Sequence, residues 1–174
     1  PPKTNELTPE TKDPTESNAA VEVYLQVGKD NVNDRVMVDL LMEIMNEPLY
    51  DQIRTKDQFG YHVSCDSRWT NGVIGIHISV VSAIKTVKET EDRIERFLLE
   101  FRSILVNMSK EEFMGHLVGL AKEKLNMFNS LGEQTSHFWT EIRDSRYIWE
   151  AETAEVRYLK TVTKEQTLKA YDQW

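Results

Sequence analysis

An α+β fold, with antiparallel strands forming a sheet and helices packed on one of its faces, follows from three features of the sequence. The first is a strict two-residue alternation near the start of the chain. The second is a pair of alternating runs about a turn signal at Asn71-Gly72. The third is a long remainder whose apolar residues recur at helical spacing. At 174 residues, 40% hydrophobic and 29% charged, the chain is long enough to bury one sizeable core, and one domain is predicted.

Residues 1–18 hold four of the five prolines and few apolar side chains, so they are read as a loop or disordered leader. A single α+β domain then occupies 19–174. From Ala19, the residues Val21, Val23, Leu25 and Val27 alternate with Glu22, Tyr24 and Gln26, the pattern of a strand with one face buried. A connection over 28–33 leads to a helix that Asp34 can cap, with Val36, Met37, Leu40, Leu41, Ile44 and Met45 inward. Pro48 should end or kink it near Asn46-Glu47. A second helical segment follows from about Leu49 to Gln58, stopped at Gly60 in a left-handed conformation.

Tyr61, Val63 and Cys65 then alternate with His62, Ser64 and Asp66, and beyond Asn71-Gly72 so do Ile74, Ile76, Ile78 and Val80. That is a hairpin. Thr86 or Thr90 opens a helix with Ile94, Phe97, Leu98, Phe101, Ile104 and Leu105 on one face. Ser109 to Glu112 is a capping box for the next, with Phe113, Leu117, Leu120, Ala121 and Leu125 inward. Shorter helices are read over Leu131–Tyr147 and Thr153–Leu159, and Thr163 to Gln166 opens a last one that runs into Trp174. A first residue that is Pro and a last one in mid-helix predict an excerpt of a longer chain.

The net charge of -8 argues against a general nucleic-acid binder. One cysteine excludes an internal disulfide and suits a reducing compartment. No apolar run reaches the roughly 18–20 residues of a membrane span, and a cytoplasmic location without membrane contact is expected. The four histidines form neither His-Glu-x-x-His nor its inverse. His116 and Glu112 share a helix face as a surface pair, and His62 and His77 stand on opposite hairpin strands as a solvated or satisfied pair. Two ligands do not make a zinc site. Cys65, on the apolar phase of its strand, reads as a core residue. Pairs such as Glu89/Asp92 and Glu111/Glu112 belong to solvated faces. Motif chemistry alone does not make the chain an autonomous enzyme.

One stretch remains, Ile53 to Val63. Arg54 and Tyr61 sit at the ends of a helix-to-strand elbow, where a guanidinium and a phenol can clamp a carbonyl or carboxylate. A solvated Arg at a helix end and a Tyr opening a strand account for the same pattern.

Ile53-Arg-Thr-Lys-Asp-Gln-Phe-Gly-Tyr61 resembles the Leu-Arg-Thr-Lys-Glu-Gln-Leu-Gly-Tyr segment in the C-terminal half of the insulin-degrading enzyme, nardilysin and pitrilysin family, the large inverzincin metallopeptidases. Glu47-Pro48 precedes it at the family's spacing and the Asn71-Gly72 hairpin follows. The resemblance continues through Lys85–Phe101, Met108–Phe113, Trp139-x-Glu141-Ile142 and Val156–Glu165, and covers about Ala19 to Trp174. Phe59 for Leu and Asp57 for Glu are conservative departures, and Trp69 is not a family residue.

The resemblance implies one of four similar α+β domains that build two bowl-shaped halves closing around a peptide. Zinc and its motif lie in the N-terminal half, and the last domain, similar to this chain, has none. By resemblance that domain lends Arg54 and Tyr61 as catalytic assistants from the opposite half, holding the substrate backbone where charge builds on the carbonyl oxygen. The implied partners are the N-terminal half and peptide substrates, with a homodimer of the full-length protein, and the chain alone is expected to be inactive. Two other readings stay open. One is a non-catalytic scaffold of the same superfamily; the other is an independent module that binds peptides by strand addition.

Overall fold

The computed structural model describes residues 5–9, 13, 15–126 and 128–174. Part of the predicted leader (residues 1–4, 10–12 and 14) lies outside them, and its described residues are exposed and carry neither helix nor strand. Strand β1 (Ala19–Lys29) leads to helix α1 (Val32–Leu49), which a π-helical stretch (Tyr50–Lys56) prolongs. The hairpin β2 (His62–Thr70) and β3 (Val73–Ser82) follows. Helices α2 (Val87–Asn107), α3 (Lys110–Lys124), α4 (Leu131–Arg143), α5 (Ala151–Leu159) and α6 (Lys164–Gln173) complete the described chain.

The strands form one antiparallel sheet in the order β1-β3-β2. Its register places Val21, Val80 and Val63 on one rung and Val23, Ile78 and Cys65 on another. These side chains share the face covered by helices, because strand residues two apart point the same way. The opposite face carries Glu22, Ser79 and Ser64, then Tyr24, His77 and Asp66. Asn71 (φ 52°) and Gly72 (φ 73°) both turn left-handed at the hairpin tip, the geometry that suits the twist of the flanking strands.

Helix α1 is the central post. Val36, Val38, Leu40, Leu41, Ile44 and Met45 are buried as it packs against β2 and β3 on one side and α3, α5 and α6 on others. Helix α2 lies on β1 with Ile94, Phe97, Phe101 and Leu105 inward, as expected. The Tyr171 ring of α6 meets Phe101 edge-on, 5.3 Å between centroids, and its hydroxyl donates to the Leu98 carbonyl at 2.6 Å. The capping boxes predicted at Ser109 and Thr163 are present, and Thr86 rather than Thr90 caps α2.

Five local expectations are corrected. Asn31, not Asp34, caps α1, its Oδ1 accepting from the Asn33 and Asp34 amides. Pro48 does not end α1, which runs on to Leu49 and continues as the π-helical stretch from Tyr50. Gly60 is not the left-handed stop; Gln58 is, at φ 53°. Gly60 is required for another reason, since a Cβ there would lie 2.7 Å from the Val81 carbonyl oxygen. Finally, Leu125 is exposed and α4 ends at Arg143 instead of Tyr147, followed by left-handed Ser145 and Tyr147.

Candidate functional site

The elbow joins the central post to the sheet. Ile53 is wholly buried and anchors its helical arm. The turn closes through two local backbone bonds spanning five and six residues, Asp57 N–H to the Gln52 carbonyl and Phe59 N–H to the Ile53 carbonyl, each at 2.9 Å. Its far end is tied to the sheet by the Tyr61 amide, which donates to the Val81 carbonyl at 3.0 Å. Both arms of the elbow therefore rest on rigid elements, which is what a positioned binding group needs.

Tyr61 does not begin the buried phase of β2: it precedes the strand and is 55% exposed. Among the described residues, no hydrogen bond occupies its hydroxyl. Arg54 is half-buried, its guanidinium carbon 5.5 Å from the centroid of the Tyr50 ring. A cation held over an aromatic face keeps its edge donors available for a planar acceptor. Arg54 and Tyr61 are thus separate arms of one elbow, joined among the described residues by backbone and by no side-chain bond. Helix α2 adds a group that residue patterns did not reveal: Arg93 reaches the elbow and bonds its side chains.

The other candidates resolve as structural groups. Cys65 is buried with its Sγ 3.8 Å from the Met45 Sδ, and burial pushes its thiol up to about 12. His62 faces Val81 and His77 faces Asp66, so the two histidines share the outer sheet face without sharing a rung. His116 sits 3.7 Å from Glu43 of α1, and Glu112 turns back to cap its own helix, so the predicted surface pair is not formed. Glu89 likewise serves as a cap, and Asp92 pairs with Lys88 at 3.0 Å. Trp69 lies under Arg146, 5.5 Å from ring centroid to guanidinium, docking the 144–150 segment on the hairpin tip. No group of three or more His, Cys, Asp or Glu among the described residues is placed to hold a metal.

A groove of about 1070 Å³ lies between α1, α3 and residues 125, 126 and 128–131 and includes neither Arg54 nor Tyr61. Its one ammonium, Lys124, is spent on Asp39 (2.5 Å) and Glu155 (2.7 Å). Arg35 completes that cluster with a bidentate bond to Asp30 at 2.5 and 2.6 Å. Burial pulls the Lys124 ammonium down, but the two carboxylates beside it more than offset this and hold it above the ordinary lysine range. The cluster ties α1 to α3 and α5, a structural task. This groove and the chemically suited elbow are therefore different places.

The family described as PQQ synthase PqqF-like, C-terminal lobe domain 4, matches residues 40–139, which include the whole elbow. Insulin-degrading enzyme of Drosophila melanogaster is 38% identical over 147 residues, 84% of this chain and 15% of that protein. The Homo sapiens enzyme of the same name is 31% identical over 155 residues, 89% of this chain and 15% of that protein. The crystal structure of pitrilysin superposes with a TM-score of 0.80 at 21% identity, over 91% of this chain and 17% of that one. The chain thus spans about one seventh of the relatives it matches.

Proposed function

The chain belongs to the PqqF-like C-terminal lobe family, among the insulin-degrading-enzyme and pitrilysin peptidases, and from that premise we propose that it is the non-zinc-binding C-terminal domain of a zinc metalloendopeptidase. In this reading it closes the catalytic chamber of a longer chain and contributes substrate-holding groups to peptide hydrolysis. The observation that carries the proposal is the elbow. It presents an exposed phenol and a half-buried guanidinium on either side of a turn fixed to both the central helix and the sheet. No group among the described residues is placed to hold a metal, and in this reading the zinc is held by the N-terminal half of the longer chain.

The chemistry of the two arms is plain. An attacked peptide carbonyl gathers negative charge on its oxygen, and donors already aimed there lower the barrier without reorganising. Tyr61 can give one O–H bond, and Arg54 can give two parallel N–H bonds to a neighbouring backbone carbonyl or carboxylate. Both come from outside the zinc half, so activity requires closure of the two halves, a gating step of the lid type.

In the full-length peptidase, Arg54→Ala and Tyr61→Phe are each expected to lower kcat/KM for a fluorogenic peptide at least tenfold, up to about a thousandfold. Bound zinc, read by metal analysis, should be unchanged. Wild-type rates in both variants would remove the role assigned to the elbow.

A further inference from the structure

We propose that Arg93 of α2 is a positioning residue for Arg54 and Tyr61, its guanidinium fixing the elbow from which both project. The proposal rests on the reading that these two residues act on substrate. Arg93 is buried, 8% exposed, and its donors are spent chiefly on the elbow. Its Nε–H donates to Asp57 Oδ2 at 2.5 Å and its Nη2 to Gln52 Oε1 at 3.2 Å, while Nη1 reaches Glu100 Oε2 on its own helix at 3.4 Å. Gln52 lies two residues before Arg54, and Asp57 three residues after it. A single planar group thus grips the elbow on both sides of the functional arginine.

The elbow needs such a grip because its backbone is not self-supporting. Seven residues run as a π-helix, a rare state, and Gln58 is left-handed without being glycine. Local propensity does not favour either conformation, so tertiary contacts must hold them. Around the clamp, Lys85 stands 4.9 Å from the centroid of the Phe59 ring and Ile53 is locked in the core. Arg93 alone among these contacts bonds both the helical arm and the turn. A guanidinium suits the task because its fork meets two acceptors at fixed separation, which a lysine cannot do.

The test is a double-mutant cycle in the full-length peptidase, with Arg93→Gln, Tyr61→Phe and the pair. If Arg93 acts through the elbow, Arg93→Gln lowers kcat about tenfold, as expected for displaced catalytic groups, and leaves KM within about twofold and zinc content unchanged. The double variant should then be about as slow as the slower single one, because the second change removes a group already misplaced. Multiplicative losses would overturn the proposal, since they place the effect of Arg93 elsewhere. So would wild-type turnover in Arg93→Gln beside a slow Tyr61→Phe, an outcome that leaves the role of Tyr61 standing. Should Arg93→Gln not fold, Asp57→Ala removes the same contact from a side chain that is 34% exposed. It is expected to slow turnover with the same non-additivity toward Tyr61→Phe, and additivity there counts equally against the proposal.

Discussion

A thiol with its Sγ 3.8 Å from a methionine sulfur, inside a sheet–helix interface, is a poor nucleophile. Burial raises the Cys65 pKa from 9.0 to about 12, which makes a pH prediction with a definite sign. Above pH 9 the unfolded chain loses this proton and the folded chain keeps it, so stability falls as pH rises between about 9 and 12. At pH 10.5 the loss from this group is about 2 kcal/mol. Urea denaturation at pH 8 and pH 10.5 measures it, and Cys65→Ala should show a smaller fall than wild type; equal falls would show that Cys65 contributes nothing. Cys65 was legible as a core residue because alternation fixes which face of a strand a residue joins. Arg93 was not, because its partners lie 36 and 41 positions away and no local pattern encodes them. Arg54 and Tyr61 lay between these cases: spacing marked the elbow, and only the family resemblance gave its ends a role.

At the scale of elements, strands and capped helices were readable because their signals are local. Asn71-Gly72 and the boxes at Ser109 and Thr163 name their own turns and helix starts. The passage through Pro48 was not readable, since a proline normally breaks a helix and only the burial of Leu49 and Ile53 beyond it makes continuation worthwhile. Nor was the cluster of Asp30, Arg35, Asp39, Lys124 and Glu155 that joins three helices, because charges in separate segments look solvated until packing brings them together. Lys124→Ala would leave Asp39 in its partly buried site without its cation and Glu155 with Arg35 alone, at 3.5 Å. Such a loss costs about 3 kcal/mol, visible as a lower urea midpoint with unchanged slope. A change below about 1 kcal/mol would mean that the cluster behaves like a surface ion pair.

For the whole molecule, layering follows from one fact: the apolar face of the sheet and the all-round apolar surface of α1 must be buried together, and α2, α3, α5 and α6 finish the cover. The α+β class was therefore predictable in full, whereas the assembly that would complete a chamber is not contained in this chain. The isolated chain, with zinc added, is expected to hydrolyse no peptide; turnover by it alone would contradict a borrowed active site. The most direct measurement compares rate and affinity in the full-length peptidase, using a phosphinic peptide that mimics the tetrahedral transition state. If Tyr61 and Arg54 act where charge develops, Tyr61→Phe and Arg54→Ala weaken binding of the mimic by the same factor by which they lower kcat/KM. Undiminished affinity for the mimic in variants that have lost rate would contradict the account.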